Sequence, residues 1–233
     1  MPRDIEISQG ARERFVRESL YRVLAEAVTA GGRVEGRVLD VGCGRGEVMA
    51  ALTDAGFRMV GVDPEAECVE ASAHHAEAHQ GGVEDIAAMF GDETFSAVIC
   101  SHVLEHLRDP HGALCHMRRI NANRYVFAVP NILRPARIVR AVLGKRRGDH
   151  PHHLFGWGHA EFERLLRDCG FRVVAWHQDR VTFMPLGGRL GAFLGRWLRS
   201  LEERFLVRVF PVLSSSLIVA CVRDDLEHGQ EGV

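Results

Sequence analysis

The clearest chemical signal in the chain is Asp40-Val41-Gly42-Cys43-Gly44-Arg45-Gly46. Three glycines at alternate positions join an apolar run, Val38 to Val41, to a segment from Glu47 to Ala55 that reads as a helix. Glycine adopts backbone angles that a side chain forbids, and it lets a ligand press against bare backbone. The helix behind it offers unpaired N–H groups and a positive dipole end. Together these form a nucleotide-type ligand site at the carboxyl end of a central strand. Asp63 follows a second apolar run, Phe57 to Val62, and precedes Pro64, which opens a helix. A carboxylate at that strand tip can accept both hydroxyl hydrogens of a ribose; the other reading of Asp63 is a helix N-cap. A dinucleotide fingerprint is Gly-x-Gly-x-x-Gly. Here the third glycine comes one position early, and Glu47 takes its place, where a carboxylate would face a pyrophosphate.

Histidine supplies the second set of reactive groups. Asp149-His150-Pro151-His152-His153 puts three histidines within four residues. A divalent metal is not favoured there, because the proline breaks helical spacing and only Asp149 offers a carboxylate. A positioned general base or a substrate contact is the alternative, since histidine titrates near neutrality. His106 lies in Ser101-His102-Val103-Leu104-Glu105-His106, directly after an apolar run, and reads as one turn into the helix that follows the fourth strand. His74, His75 and His79 read as the solvated face of a helix from Glu65 to Ala78.

These residues need a frame. The order strand–helix, repeated five times, calls for an α/β, doubly wound, mostly parallel sheet. Its strands are Val38 to Val41, Phe57 to Val62, Gly81 to Ile86, Phe95 to Cys100 and Arg124 to Val129, with a sixth from Gly170 to Trp176 and a seventh from Ser216 to Arg223. At 233 residues, 46% of them hydrophobic, the chain makes one domain with a sizeable core. Within it residues 11–30 form an N-terminal amphipathic helix, read as a packing helix or a lid, and 37–131 the ligand-binding core. Residues 132–158 form a basic segment and the histidine loop, and 159–223 a last helix and two strands with an insert at 181–213. The basic segment carries Arg134, Arg137, Arg140, Lys145, Arg146 and Arg147 beside an apolar stripe of Leu133, Ala136, Val139 and Leu143. It reads as a solvated helix, a lid over an anionic substrate, or a patch touching a membrane surface, the lid being preferred.

Composition narrows the rest. A formal charge of −2 gives no pull toward nucleic acid. The six cysteines are scattered without a Cys-x-x-Cys pair and read as buried, reduced thiols. Met1 to Gly10 lacks an apolar core of signal-peptide length and no run approaches a membrane span, so a cytoplasmic protein without stable membrane insertion is expected.

Acid-x-Gly-x-Gly-x-Gly resembles motif I of the class I S-adenosylmethionine (SAM) methyltransferases. The resemblance extends through Ser-x-x-Leu-Glu-His-Leu at 101–107, Asp109-Pro110, a strand closing on Val129-Pro130-Asn131, and Gly170-Phe171. It is closest to the type 11 and UbiG-like small-molecule methyltransferases. It implies a Rossmann-like sheet of seven strands, the last antiparallel at the sheet edge, and a lid or insert. It implies SAM as methyl donor, S-adenosylhomocysteine (SAH) as product, and a cofactor site of Asp40, Gly42, Gly44, Gly46, Asp63, Pro64, Ser101 and His102. The third strand tip should face the adenine. Many relatives carry an aspartate where this chain has Gly82, so that contact falls to Glu84, Asp85 or the backbone at Val83.

In methyl transfer from a sulfonium the leaving group departs neutral, and most of the rate comes from holding the acceptor close and aligned. A hydroxyl acceptor must also lose its proton. His106, after the fourth strand, and His150 and His153, from the loop after the fifth strand on the opposite wall of the same crevice, are the candidate bases, with His152 in reserve. The acceptor is expected to be a small molecule: a sugar or glycolipid hydroxyl, a phenol or a quinone-type metabolite, anionic if the basic segment reads it. Nitrogen or carbon methylation, an NAD(P)-binding oxidoreductase and an idle SAM-binding scaffold are the alternatives. No Asn/Asp-Pro-Pro-aromatic motif of amino methylation is found. A homodimer is left open.

Overall fold

The computed structural model describes residues 18–30, 32, 34–144, 152–181 and 205–224. Helix α1 occupies residues 18–29. Then come β1 (Arg37–Val41), α2 (Glu47–Asp54), β2 (Arg58–Asp63), α3 (Ala66–Ser72), β3 (Glu77–Gln80), α4 (Ile86–Phe90), β4 (Thr94–Phe95) and β5 (Ala97–Ser101). A 3-10 turn at Leu104–His106 leads to α5 (Pro110–Arg118), β6 (Asn121–Ala122), β7 (Tyr125–Pro130), α6 (Pro135–Val142), α7 (His159–Asp168), β8 (Phe171–His177) and β9 (Ser216–Arg223). Seven strands form one sheet in the order β3-β2-β1-β5-β7-β9-β8, while β4 and β6 make a separate two-stranded ladder. Pairing is parallel from β3 through β7. The antiparallel strand β9 comes at the other end of the sheet, between β7 and β8.

Alternation along the strands divides the core between two faces. Leu39, Val41, Val60, Val62, Val98, Cys100, Phe127 and Val129 meet Ile86 of α4, Leu114 and Met117 of α5, and Phe162 and Leu166 of α7. Val38, Met59, Ala97, Ile99, Val126, Ala128 and Ile218 meet Val23, Leu24, Ala27 and Val28 of α1 and Met49 and Leu52 of α2. The described part of the N-terminal helix is thus a packing helix; its expected start, 11–17, lies outside the described residues. Strands apolar on both faces give continuous hydrophobic runs, and those are the strands the sequence announces.

Two expectations are corrected. The third strand is Glu77–Gln80, not Gly81 to Ile86, and the preceding helix stops at Ser72 rather than Ala78. A rim strand pairs on one side only and is not buried on both faces, so the polar Glu-Ala-His-Gln forms it without an apolar run. His79 consequently belongs to β3, where its Nε2 lies 2.8 Å from Glu77 Oε1. His106 does not sit one turn into a long helix. It ends the 3-10 turn, and α5 begins only at Pro110, with the Asp109 carboxylate accepting from the Gly112 N–H at 2.8 Å.

In the basic segment, α6 holds Arg137 and Arg140, while Ile138, Val139, Val142 and Leu143 stay exposed, Val142 at 80%. Residues 145–148 of the segment and 182–204 of the expected insert lie outside the described residues. Among the described residues no helix is long and apolar enough to cross a membrane.

Candidate active site

The glycine loop leaves β1 and is tied to the tip of β2. The Gly42 and Cys43 N–H groups donate to the Val62 carbonyl at 2.8 and 3.1 Å. Asp63, 8% exposed, accepts from the Gly44 N–H with Oδ2 at 2.8 Å and from the Glu65 N–H with Oδ1 at 3.0 Å. Its carboxylate therefore fixes the loop, and each oxygen keeps further accepting capacity. Gly42 is held where an added Cβ would lie 2.5 Å from Val103. Gly46 has φ +85, and a Cβ there would lie 2.9 Å from the Ser72 backbone. A Cβ on Gly44 would point into open space, so that stretch of loop presents bare backbone to the crevice.

Asp40 is the electrostatic centre of this half. It is 2% exposed, and its Oδ2 has no hydrogen-bond partner. Burial pushes its carboxyl from 3.8 up to about 7, with the Asp63 and Glu47 carboxylates adding to the rise. A buried carboxylate beside two others favours a cation and repels an anion. This environment suits a sulfonium or ammonium group and opposes a pyrophosphate. The Cys43 thiol is pushed up to about 12, chiefly by burial, and is inert as a nucleophile.

The tip of β5 carries the second half. His102 has φ 57, and its N–H donates to the Ala128 carbonyl of β7 at 2.8 Å. Its Nδ1 lies 3.1 Å from Oε1 of the fully buried Glu105, and its Nε2 lies 3.5 Å from Ser216 Oγ on β9. Ser216 Oγ in turn donates to Asp179 Oδ2 at 3.0 Å. Burial raises the Asp179 carboxyl, against the hydrogen bonds from Arg180 N and Ser216.

The histidine loop reaches the same tip. The Leu154 N–H donates to the Glu105 carbonyl at 2.8 Å, and the rings of His106 and His153 meet edge to face with centroids 4.8 Å apart. Glu105, His106 and His153 each bring a ligand atom within 4.8 Å of the others, a set that could also hold a divalent ion. His150 lies outside the described residues. His152 is described and exposed.

At the tip of β7, Asn131 is fully buried. Its Nδ2 donates to the Val212 and Ser214 carbonyls, both at 2.8 Å, and its Oδ1 accepts from the Leu133 N–H at 2.9 Å. Its backbone bridges Trp157. Three stretches of the chain, 131–133, 157 and 212–214, meet at this one side chain and its backbone.

Of the sequence-derived residues, Asp40, Gly42, Gly44, Gly46 and Asp63 converge around the loop, with Pro64 directly after Asp63. Ser101, His102, His106 and His153 gather at or beside the β5 tip. Glu84 and Asp85 fall in the turn after β3, where Asp85 Oδ2 accepts from the Gly82 N–H at 2.9 Å. Glu105, Asp179 and Ser216 were missed. Glu105 carried a signal, its spacing of three from His102; the other two carried none.

Sheet order and glycine loop together define a Rossmann-like fold of the SAM-dependent class, in which SAM is the methyl donor. The chain belongs to the methyltransferase domain family, whose model matches residues 10–176. It is an enzyme of the class I SAM-dependent methyltransferases. The dinucleotide oxidoreductase reading is thereby set aside.

Curated relatives include a ubiquinone biosynthesis O-methyltransferase of Psychrobacter arcticus, 30% identical over 174 residues, covering 63% of this chain and 64% of that one. Another, from Rhodopseudomonas palustris (strain TIE-1), is 25% identical over 191 residues, covering 76% and 74%. The chain thus spans about two thirds to three quarters of these relatives' length. Among solved structures, a SAM-dependent methyltransferase from Thermotoga maritima superposes with a TM-score of 0.64 at 17% identity, covering 94% of this chain and 95% of that one. A magnesium protoporphyrin IX methyltransferase from Synechocystis with bound SAH gives 0.61 at 16% identity, covering 90% and 84%. At such identities the likeness is one of fold.

Proposed function

We propose that this enzyme methylates a hydroxyl group of a small molecule, with His106 or His153 removing the acceptor proton. The observation that carries the proposal is the contact of these two rings, 4.8 Å apart between centroids, beside buried Glu105 at the β5 tip. The O-methyltransferase relatives support the choice of oxygen.

Bound SAM supplies an electrophilic methyl on a sulfonium. Asp40, with its orphaned buried oxygen, and Asp63 provide negative charge for a cationic donor. Gly42, Gly44 and Gly46 with the start of α2 cradle it through backbone, and Pro64, Ser101 and His102 line the neighbouring strand tips. Glu84 and Asp85 are proposed for the adenine end. The chain's contribution to rate is then alignment of the acceptor and proton removal by an imidazole. Arg134, Arg137 and Arg140 lie beyond the β7 tip, on the acceptor side, and suit an acceptor bearing an acidic group.

Single alanine replacements of His106, His150, His152 and His153 test the base, with SAM affinity measured for each. Loss of about 10²–10⁴ in turnover at unchanged SAM affinity for His106 or His153 is expected. Full turnover in all four variants would overturn the base assignment. Turnover on amines but on no hydroxylated acceptor would overturn the choice of oxygen.

A further inference from the structure

Three metal-ligating side chains come together away from the glycine loop and the histidine pair. His111 and Cys115 are four residues apart on α5, so they share one face of the helix. Cys169 caps the carboxyl end of α7, a separate part of the chain. One ligand atom from each lies within 4.8 Å of the other two, and Cys115 Sγ is 3.8 Å from His111 Nδ1. The Cys169 thiol also reaches the His111 carbonyl at 3.7 Å.

We propose that His111, Cys115 and Cys169 form a zinc site at the junction of α5 with the end of α7. Two sulfurs and an imidazole are a soft to borderline donor set, which selects Zn²⁺ over Mg²⁺ or Ca²⁺. His111 and Cys115 are exposed and Cys169 is 4% exposed. The site is therefore closed on the protein side and open toward solvent, with a fourth position for water or an added ligand. Cys115 and Cys169 alone could pair as a disulfide. The imidazole beside them, converging on the same point, is what a disulfide would not use.

The test is zinc titration of the reduced full chain against a chromophoric chelator, with cobalt as a spectroscopic substitute. Wild type is expected to take up Zn²⁺ at this site, and its cobalt form to show thiolate-to-metal charge-transfer absorption. Cys115→Ser and His111→Ala alter exposed side chains and should leave folding intact. Each should weaken zinc binding by more than the ~10–100-fold that loss of an outer-shell partner costs, and Cys115→Ser should reduce the charge-transfer band. His153→Ala controls for the Glu105, His106 and His153 set and should leave the band unchanged. Cobalt bound without thiolate absorption, affinity unchanged in both α5 variants, or an oxidant-formed Cys115–Cys169 disulfide in a chain that takes up no zinc would each overturn the proposal.

Discussion

Replacing Asp40 with asparagine separates the electrostatics of the proposed cofactor site from its shape. The carboxyl is buried, and its pKa rises from 3.8 to about 7. An acid whose folded value lies above its unfolded value holds its proton longer in the native state. Native stability therefore falls as pH climbs from about 4 to about 7, and the loss is complete above that. At 1.36 kcal/mol per unit, the rise corresponds to ~4 kcal/mol in the free protein at pH 8. The amide of the variant carries no such charge. Asp40→Asn should match wild type in stability near pH 4 and exceed it by up to ~4 kcal/mol at pH 8, read by denaturant unfolding without ligand. A cationic donor reverses the sign of the effect. If SAM binds the ionised form, its dissociation constant should tighten about tenfold between pH 6 and pH 8 in wild type, and the variant should lose that slope. SAH, which lacks the sulfonium, should show a shallower dependence. Calorimetric titration at both pH values is the assay. A flat profile in wild type, or the same slope in both proteins, would refute the assignment of the cation to Asp40.

The remaining expectations concern geometry. Gly46→Ala forces a side chain into φ +85 and against the Ser72 backbone, so it should cost at least ~1–3 kcal/mol and abolish measurable SAM binding in calorimetry. Asn131→Ala strips partners from the Val212 and Ser214 carbonyls and the Leu133 N–H. At ~1–3 kcal/mol per buried unsatisfied group it should destabilise strongly, and in the surviving fold raise the acceptor KM while SAM affinity holds. Tyr125→Phe removes a buried hydrogen bond to the Ile120 carbonyl and should lower stability by ~1 kcal/mol with little change in turnover.

The two halves of the crevice were not equally legible. Val38-Leu39, Val60 to Val62 and Val126 to Val129 announce themselves because strands covered on both faces must be apolar nearly throughout. The glycine loop announces itself because only glycine meets its φ angles and clearances. Glu77–Gln80 escaped because a rim strand lacks that constraint. On the side proposed for the acceptor, His106 and His153 could be expected on facing walls, yet their ring contact depends on the backbone bonds of 154 and 155 to the Glu105 carbonyl. The link from His102 to Ser216 joins residues 114 apart, and no local pattern encodes it. Asp179 follows a strand end in a polar stretch indistinguishable from a loop; its burial is a consequence of packing.

The position of β9 has a consequence for how the protein is made. It follows every other described strand in sequence, yet it is an interior strand, bonded to β7 on one side and β8 on the other. Parallel pairing from β3 to β7 can be complete while residues 216–223 are still in the ribosome. Until they emerge, β8 has no partner in the sheet and the apolar β7 presents an open edge. Such an edge is the place where a nascent chain recruits the wrong strand. Closing it pairs Tyr125 with Cys221, bringing the His102–Ser216 link and the Asn131 anchor into register together. The side of the crevice proposed for the acceptor is thus assembled by the same event that seals the sheet.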